Sequence, residues 1–316
     1  MLLITGATGF IGRQFLKLIA ADENIKVKIL SRRNDYPRDP LKNVGFFQGN
    51  LLSEKCLTDF IERRSTMVNL AYLSSNSIDD NLRAAKNLAR ACVAQKVRRF
   101  VHCSTAAVVG RSRERIITEK SACLPVTPYE KAKLRIEKIF IEELGGESEV
   151  VILRPTAVFG PGGQNLLKIA REINTENYLT RLLKMSLYAG RRLNLVSVEN
   201  AAGALKFLAF FDGTLPHRRY IVSDDEESEN NYKDVVSYLA RSFGRRIPPH
   251  LPIPFQAKLL SIVLRLAGRT NFNPERVYSS SRLISTGYRK QIKFRKALER
   301  FAEWVRREIS AGHSSL

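Results

Sequence analysis

Cysteine is sparse in this chain, and long apolar runs are missing. The four cysteines form no C-x-x-C pair and have no spacing typical of metal ligands; they are Cys56, Cys92, Cys103 and Cys123. The sequence therefore predicts reduced thiols in a cytoplasmic protein without a metal site. No run reaches the roughly eighteen apolar residues of a membrane span, and the first residues lack the charged leader of a signal peptide. We expect neither a membrane span nor a secretory signal.

Acidic residues are also scarce relative to basic ones. The chain has 52 Lys and Arg against 31 Asp and Glu, and its formal net charge is +21. From Arg241 onward, 16 basic residues stand against 4 acidic ones. Such an excess suits nucleic acid, an anionic membrane surface or a phosphorylated substrate, and equally a solvated basic surface. No zinc-finger, helix-turn-helix or RNP-type signature accompanies the charge, so nucleic-acid binding is not expected.

One apolar stretch raises the question of peripheral membrane contact. Phe255–Leu266 is apolar and has basic neighbours, a combination found in helices that lie on membranes. Such residues more often pack inside a domain, and we favour that interpretation.

The beginning of the chain carries the most informative pattern. The apolar residues from Leu2 to Ile4 run together, as in a strand buried on both faces of a parallel sheet. A G-x-x-G-x-x-G spacing follows and leads into an amphipathic helix. Its glycines allow a tight turn and close approach of a phosphate, and the helix N-terminus favours a diphosphate. We therefore predict a dinucleotide-binding βαβ unit, with contacts from Gly6, Thr8, Gly9, Phe10, Ile11 and Gly12.

The residues after the second predicted strand, Lys26–Leu30, bear on the choice of cofactor. An acid at this place usually holds the ribose 2′-hydroxyl of NAD, whereas arginine suits the 2′-phosphate of NADP. Here Ser31-Arg32-Arg33 follows, with no acid before Asp35. Guanidinium groups bind phosphate bidentately, so we predict that Arg32 contacts NADP, with NAD as the alternative. Two exposed surface arginines would give the same pattern.

Two further strand ends supply cofactor contacts. Asn50 and Leu51 follow the third predicted strand, and Leu70 and Ala71 end the fourth. Because ligands of open α/β sheets lie outside the carboxyl ends of the strands, we expect these four residues near the cofactor.

Strands and helices alternate through residue 154, which predicts an α/β fold with a Rossmann-type, doubly wound parallel sheet. We expect strand six to end at Leu153, before Arg154-Pro155. Beyond residue 160 the pattern loosens into mostly helical stretches. We therefore expect a cofactor-binding domain over residues 1–160 and a smaller, mostly helical substrate region over 161–316. One strand and one helix near 190–225 are expected to return to the first domain.

A candidate acid–base pair follows strand five. Tyr129 and Lys133 stand four residues apart in a helix that Pro128 begins, so both lie on one helix face. Ser104 and Thr105 come at the end of that strand, where ligands bind. A phenol with a pKa near ~10 is a poor base, and positive charge from Lys133 and an oxidised nicotinamide would lower that pKa. A hydroxyl at Thr105 would orient the reacting oxygen.

Together these motifs resemble those of the extended short-chain dehydrogenases/reductases. Within that group they are similar to the NAD-dependent epimerase/dehydratase family, whose members mostly act on nucleotide sugars. The resemblance covers nearly the whole chain. The segments that carry it are Thr5–Gly12, Gly49–Leu51, Asn69–Ala71, Asn81, Cys103–Gly110, Tyr129-x-x-x-Lys133, Leu153–Gly162, Asn194–Ala202 and Ser279–Tyr288.

The resemblance implies roles for residues at matching positions. Tyr129 would be the general acid/base, and Lys133 would hold the nicotinamide ribose and depress the pKa of that tyrosine. Thr105 would orient the reacting oxygen, and the segment from Pro155 to Val158 would line the amide side of the nicotinamide. A homodimer through helices at 79–96 and 129–144 is implied as well.

The chain also departs from the family pattern. Asn50 stands where an aspartate is usual, and Val109 replaces a tyrosine. Ala106 and Ala107 follow Thr105, where the family's 4,6-dehydratases carry Asp-Glu. Because elimination of water would lack its acid and base, we do not expect a 4,6-dehydratase.

Several activities remain open. One is NADP-dependent reduction of a keto sugar nucleotide, which Arg32 favours slightly, and another is epimerisation of a nucleotide sugar. Segments similar to 279–288 also occur in steroid and flavonoid reductases, so a non-sugar carbonyl is an alternative substrate. A dinucleotide-sensing protein without turnover is a further hypothesis, which the Tyr129–Lys133 pair argues against. Arg191, Arg192 and Arg276 are candidate ligands of a substrate diphosphate, or simply solvated surface residues.

Overall fold

A seven-stranded parallel sheet is the centre of the molecule. The structure, a computed structural model, describes residues 1–32, 42–249 and 273–310. The strands of this sheet are β1 (Leu2–Thr5), β2 (Val27–Ser31), β3 (Val44–Gln48), β4 (Thr66–Asn69), β5 (Arg99–Cys103), β7 (Glu149–Pro155) and β10 (Arg219–Val222). Their spatial order is β10-β7-β5-β4-β1-β2-β3, and every neighbouring pair is parallel. The order reverses between β1 and β4, so the predicted doubly wound sheet is confirmed.

Helices cover both faces of the sheet. They are α1 (Phe10–Ala20), α2 (Glu54–Phe60), α3 (Ile78–Ala94), α4 (Pro128–Leu144) and α7 (Val198–Ala209). α1 and α7 share one apolar core with the sheet, which includes Phe15 and Leu205. α2, α3 and α4 contribute to the core on the other face, which includes Phe60 and Phe140. The sheet is therefore buried on both sides, which explains its short, nearly continuous apolar strands.

Strand β7 runs two residues further than the sequence predicts. Arg154 and Pro155 continue the pairing with β10, in register with Ile221 and Val222. Proline is tolerated here because it is the last residue of the strand, where a missing N–H interrupts no further pairing. The extension brings Pro155 to the carboxyl edge of the sheet.

The start of α4 is determined by local sequence. The Thr127 hydroxyl accepts a hydrogen bond from the Glu130 N–H at 3.2 Å, and the Glu130 carboxylate accepts one from the Thr127 N–H at 3.1 Å. Pro128 occupies the first helical position, where an N–H has no partner within the helix. Tyr129 is thereby held in the first turn of α4.

A buried arginine joins α7 to the sheet. Arg99 in β5 is fully buried, and its Nε lies 2.6 Å from Glu149 Oε2. The same guanidinium donates to the carbonyls of Leu208, in the last turn of α7, and Phe211, just after it, at 3.3 and 2.6 Å. A cation at this end of a helix also complements its dipole.

The C-terminal region has its own core. Its helices are α5 (Leu167–Thr175), α6 (Tyr178–Tyr188), α8 (Tyr232–Ser242), α9 (Ser281–Ser285) and α10 (Phe294–Ser310). Two short parallel pairs accompany them: β8 (Ala157–Phe159) with β9 (Leu195–Ser197), and β6 (Ile116–Ile117) with β11 (Val277–Tyr278). The ring of Phe159 contacts those of Phe294 and Phe301, with centroids 5.5 and 6.4 Å apart.

Some sequence predictions concern residues outside the described ranges. They are Arg33, Asp35 and the apolar stretch Phe255–Leu266. Within residues 1–32, 42–249 and 273–310, no helix is long and apolar enough to cross a bilayer.

Candidate active site

Two cavities meet at the glycine turn between β1 and α1. The larger, of about 690 Å³, is lined by Thr105 and Tyr129 together with Phe10, Ile11, Gly12, Pro155 and Val158. The smaller, of about 230 Å³, is lined by Thr8, Arg32, Leu51 and Ala71. Gly6, Gly9 and Leu70 belong to the walls of both. A single elongated ligand that bends over the glycine turn fits this arrangement.

The glycine turn leaves no room for side chains at two positions. Gly6 has a φ of +76°, and a Cβ there would lie 2.6 Å from the backbone nitrogen of Ala71. A Cβ on Gly12 would lie 2.2 Å from the carbonyl oxygen of Gly6. Gly9 caps α1 without a side-chain hydrogen bond, so the first N–H groups of the helix remain available to an anion. The turn therefore fits the diphosphate of a dinucleotide.

Tyr129 stands at the wall of the larger cavity and is about half exposed. Its ring makes an edge contact with Tyr72, whose centroid lies 5.3 Å away. Burial raises the pKa of Tyr129 to about 12, with further contributions from Cys103 and Tyr72. The sequence predicted a lowered pKa through Lys133, whereas in the free chain burial raises the pKa of Tyr129, and Lys133 is not among the groups that shift it. Tyr129 is accordingly a protonated phenol at neutral pH in the free chain.

Lys133 is buried one helical turn beyond Tyr129, but it does not line either cavity. Its Nζ donates to the carbonyl of Cys103 at 3.1 Å and lies 5.5 Å from the ring centroid of Tyr72. Burial lowers the pKa of Lys133, while Cys103 and Glu137 act in the opposite direction. The Cys103 carbonyl takes one of the three N–H donors of this ammonium group, so others remain for a ligand.

Thr105 is free to donate its hydroxyl proton toward the cavity. It caps a short 3₁₀ helix, Ala106–Val109, and its Oγ1 accepts from the N–H of Ala107 at 3.2 Å. Ser104, also a wall residue, is committed elsewhere, because its hydroxyl donates to Glu137 Oε1 at 2.5 Å. Of these two adjacent hydroxyls, Thr105 is therefore the one that the structure leaves to a ligand, and the partnerless Thr156 hydroxyl lies on the wall of the same cavity.

The smaller cavity contains the residues predicted after β2. The exposed Arg32 lines it together with Ser31, and its described wall residues include no carboxylate. Asn50, in contrast, is not a wall residue of either cavity, although its neighbours Gly49 and Leu51 line the smaller one. Its side chain is exposed and accepts a hydrogen bond from the N–H of Leu52 at 3.0 Å, so a local turn determines its orientation.

The side of the larger cavity that faces the C-terminal region has neutral polar groups. They are supplied by Thr156, Gln164, Asn165, Asn194 and Tyr278, and none of the cavity's described wall residues is charged. Asn194 has a left-handed backbone with a φ of 51°, and its amide donates to Asp225 at 2.7 Å. Arg276, a predicted diphosphate ligand, instead donates to the carbonyls of Gly110 (3.1 Å) and Ser112.

A buried hydrogen-bond network that sequence analysis missed lies next to the site. Glu137, one turn after Lys133, forms a bidentate pair with Arg154: Nε–Oε1 is 3.0 Å and Nη2–Oε2 is 2.6 Å. Both side chains are almost inaccessible to water. Ser104 adds a third hydrogen bond to the same carboxylate. The sequence does show that Glu137 shares a helix face with Tyr129 and Lys133, because the three residues are spaced four apart. No sequence pattern indicates that Glu137 pairs with Arg154 on a distant strand.

Comparison with known proteins agrees with this fold. The family model described as "NAD dependent epimerase/dehydratase family" matches residues 2–192. Because this match covers more than half of the chain, the protein belongs to that family.

Relatives within and around the family have several activities. The chain is 23% identical over 264 residues to N-acetyl-alpha-D-glucosaminyl-diphospho-ditrans,octacis-undecaprenol 4-epimerase of Escherichia coli O157:H7, covering 80% of this chain and 75% of the relative. The NAD complex of dTDP-glucose 4,6-dehydratase from Bacillus anthracis has a TM-score of 0.72 at 17% identity, covering 97% of this chain and 96% of that one. The NAD complex of UDP-glucuronic acid 4-epimerase from Bacillus cereus has a TM-score of 0.67 at 16% identity, covering 97% and 98%. At these identities the solved structures share the fold, which therefore does not separate dehydratases from epimerases.

Proposed function

We propose that this protein is an NAD(P)-dependent epimerase of a sugar carried on a diphosphate, with Tyr129 as its acid–base group and Thr105 as its orienting hydroxyl. The observation that carries the proposal is the convergence of Tyr129 and Thr105 on the cavity that begins at the glycine turn. The adjoining cavity supplies room for the adenosine half of a dinucleotide. Family membership and the NAD held by the solved relatives support the same cofactor class.

The residues present divide the chemistry between them. A bound nicotinamide would supply hydride transfer at a carbinol carbon. Thr105 would donate to the substrate oxygen, and Tyr129 would take up the hydroxyl proton of the alcohol and return it when the carbonyl is reduced. Since burial raises the pKa of Tyr129 to about 12, its proton-donating form is ready at neutral pH. Its proton-accepting form requires positive charge nearby, which an oxidised nicotinamide would contribute.

The neutral cavity walls favour an uncharged sugar at the reacting end. Hydroxyls of a sugar are suited to the amides of Gln164, Asn165 and Asn194. Because the relative from Escherichia coli acts on a sugar linked through diphosphate to undecaprenol, a lipid-linked sugar is a candidate substrate beside a nucleotide sugar. Ala106 and Ala107, both wall residues, offer no acid or base for elimination, which is our argument against a 4,6-dehydratase.

A ketoreductase is the second candidate, because Arg32 lines the smaller cavity, where it would favour NADP. The two candidates differ in hydride stoichiometry. We expect the purified protein to interconvert UDP-glucose or UDP-N-acetylglucosamine with their 4-epimers, without net formation of NADH or NADPH, as followed by chromatography and absorbance at 340 nm. Consumption of one NADPH per keto sugar would establish the reductase, and release of a 4-keto-6-deoxy sugar would establish a dehydratase. Tight cofactor binding without turnover of any soluble or lipid-linked sugar would contradict an enzyme.

Replacement of Arg32 tests the cofactor assignment. We expect Arg32→Ala to raise the Kd of NADPH about 10- to 100-fold, because a charge-assisted contact contributes about 1.5–3 kcal/mol. The Kd of NADH should stay within about twofold, since NADH has no 2′-phosphate. Arg13→Ala, at an exposed position of α1 outside both cavity walls, serves as the control. Fluorescence titration measures both constants, and equal losses for the two cofactors would remove the case for NADP.

We also propose a homodimer through α3 and α4, as the family resemblance implies. The exposed groove between these helices combines cations with acids: Lys86, Lys131, Arg135, Lys138, Glu142 and Glu143. A two-fold axis would allow reciprocal ion pairs across such a face. Light scattering of the full chain tests this arrangement.

A further inference from the structure

Helix α6 presents leucines to solvent. Leu179 and Leu183 stand one turn apart, and 73% and 65% of their surfaces are exposed, more than any other large apolar side chain of the described residues. Leu182 and Leu187 on the same helix are only half buried. Exposed leucines one turn apart form an apolar ridge, and contiguous exposed apolar surface often marks an interaction site.

Arginines surround the beginning of this helix. The guanidinium of Arg246 lies over the ring of Tyr178, 5.2 Å from its centroid, and the carbonyl of Arg246 accepts a hydrogen bond from Arg181 at 3.3 Å. Arg245 donates to Asn174 at 3.2 Å, at the end of α5. Arg245 and Arg246 are exposed, and residues 241–249 contain three arginines and no acid. We call Tyr178, Leu179, Leu183, Arg245 and Arg246 the α6 surface.

Nearby acids do little to offset this positive charge. Glu172 in α5 and Glu176 just after it both pair with Lys184, whose Nζ lies 2.9 Å from Glu172 Oε2. The α6 surface therefore combines an apolar ridge with a cationic border. That combination is characteristic of helices that lie in the interface of an anionic bilayer.

We propose that the α6 surface docks the protein on an anionic membrane. A nucleic acid would use the arginines but leave the leucines in water, whereas a bilayer accommodates both. A second copy of the chain would bury the leucines, yet a two-fold contact would bring the arginine pairs of both copies together. The Escherichia coli relative, whose substrate is carried on undecaprenol, provides an example of a related chain with a lipid-linked substrate.

The position of α6 connects this surface to the larger cavity. α5 begins two residues after Asn165, a wall residue of that cavity, and leads directly into α6. Along the chain, α5 is thus the one helix between this cavity wall and the α6 surface. The proposal itself does not depend on the chemistry proposed for Tyr129, because membrane binding is measured without substrate.

Vesicle sedimentation of the full chain tests the proposal. We expect binding to vesicles of phosphatidylcholine with about one third phosphatidylglycerol, and much weaker binding to phosphatidylcholine alone. The double variant Leu179→Ser/Leu183→Ser should bind the anionic vesicles roughly tenfold more weakly, because it removes the apolar ridge. The affinity of Arg245→Glu/Arg246→Glu for the anionic vesicles should fall at least about 25-fold, since each basic residue near the membrane surface raises that affinity roughly fivefold.

Two matched variants control for net charge and general apolarity. Arg306→Glu/Arg307→Glu changes the charge equally at exposed positions of α10, and Ile284→Ser/Ile309→Ser removes two exposed isoleucines elsewhere. Both should keep vesicle affinity within about twofold, and circular dichroism should show all variants folded. Absence of binding by the unmodified chain, or equal losses in the controls, would overturn the proposal. So would light scattering that shows the leucine variant to dissociate a dimer. Turnover of soluble UDP-sugars, measured in parallel, reports separately on the proposed function.

Discussion

Replacement of Tyr129 by phenylalanine should lower kcat about a thousandfold while leaving cofactor affinity within about twofold. General acid–base catalysis contributes about 10²–10⁴ to rate, and Tyr129 is the titratable side chain on the described wall of the larger cavity that is placed to supply it. The ring itself would remain, so the edge contact with Tyr72 at 5.3 Å would be kept. Steady-state kinetics on the epimerised sugar, with fluorescence titration of the cofactor, measure the two effects separately.

The pH dependence gives this prediction a second readout. The pKa of Tyr129 is raised, so the phenolate fraction grows about tenfold per pH unit below the pKa. Oxidation of a sugar hydroxyl, which needs the phenolate, should therefore become faster between pH 7 and 9 in the unmodified protein. The residual rate of Tyr129→Phe should not follow that slope.

Tyr238→Phe provides the matched control. Tyr238 lies on α8, away from both cavity walls, and its ring faces the guanidinium of Arg295 at 5.4 Å. Phenylalanine keeps that contact, so kcat and its pH slope should be unchanged. If Tyr129→Phe retained more than a tenth of kcat, the proton would have to come from another group and our assignment would be wrong.

The parts of the site that sequence analysis predicted depend on local chemistry. Gly12 is required by contacts with Gly6 and Ala7 within one short strand–turn–helix unit, and the positive φ of Gly6 belongs to the same local turn. Tyr129 is placed by the capping of α4, which Thr127, Pro128 and Glu130 specify locally. Arg32 follows the end of β2 directly and lines the smaller cavity. In each case the residues that determine the geometry are neighbours in the sequence.

The features of the site that sequence analysis did not predict depend on partners distant in sequence or on burial. Lys133 faces the carbonyl of Cys103, thirty positions earlier in the chain, rather than the cavity. Arg276 reaches two carbonyls more than 160 positions away, which no spacing pattern indicates. For Tyr129, the direction of its pKa shift depends on burial, which raises the pKa and is a property of the whole fold.

The Glu137–Arg154 pair is the contact for which we expect the largest loss of stability. Arg154→Leu would leave the Glu137 carboxylate buried with only the Ser104 hydroxyl as a strong partner, because the bidentate contacts at 2.6 and 3.0 Å would be lost. Breaking a buried ion pair from one side costs about 3–5 kcal/mol of the free energy of unfolding. Urea denaturation followed by circular dichroism measures this change. The exposed pair of Arg83 and Asp80, at 2.7 Å, gives the control, since Arg83→Leu should leave stability nearly unchanged.

The double variant Glu137→Leu/Arg154→Leu separates the pair's own contribution from the penalty of an unpaired charge. Apolar residues of similar size in place of both partners can be neutral, because two charges no longer have to be desolvated. We therefore expect the double variant to be more stable than Arg154→Leu alone, although the Ser104 hydroxyl loses its acceptor. Its catalysis should still be impaired, since Glu137 acts against the burial that lowers the pKa of Lys133. Equal stability of the two variants would contradict an unpaired carboxylate as the cause. Full activity of the double variant would show that the buried charges stabilise the fold but do not affect proton transfer by Tyr129.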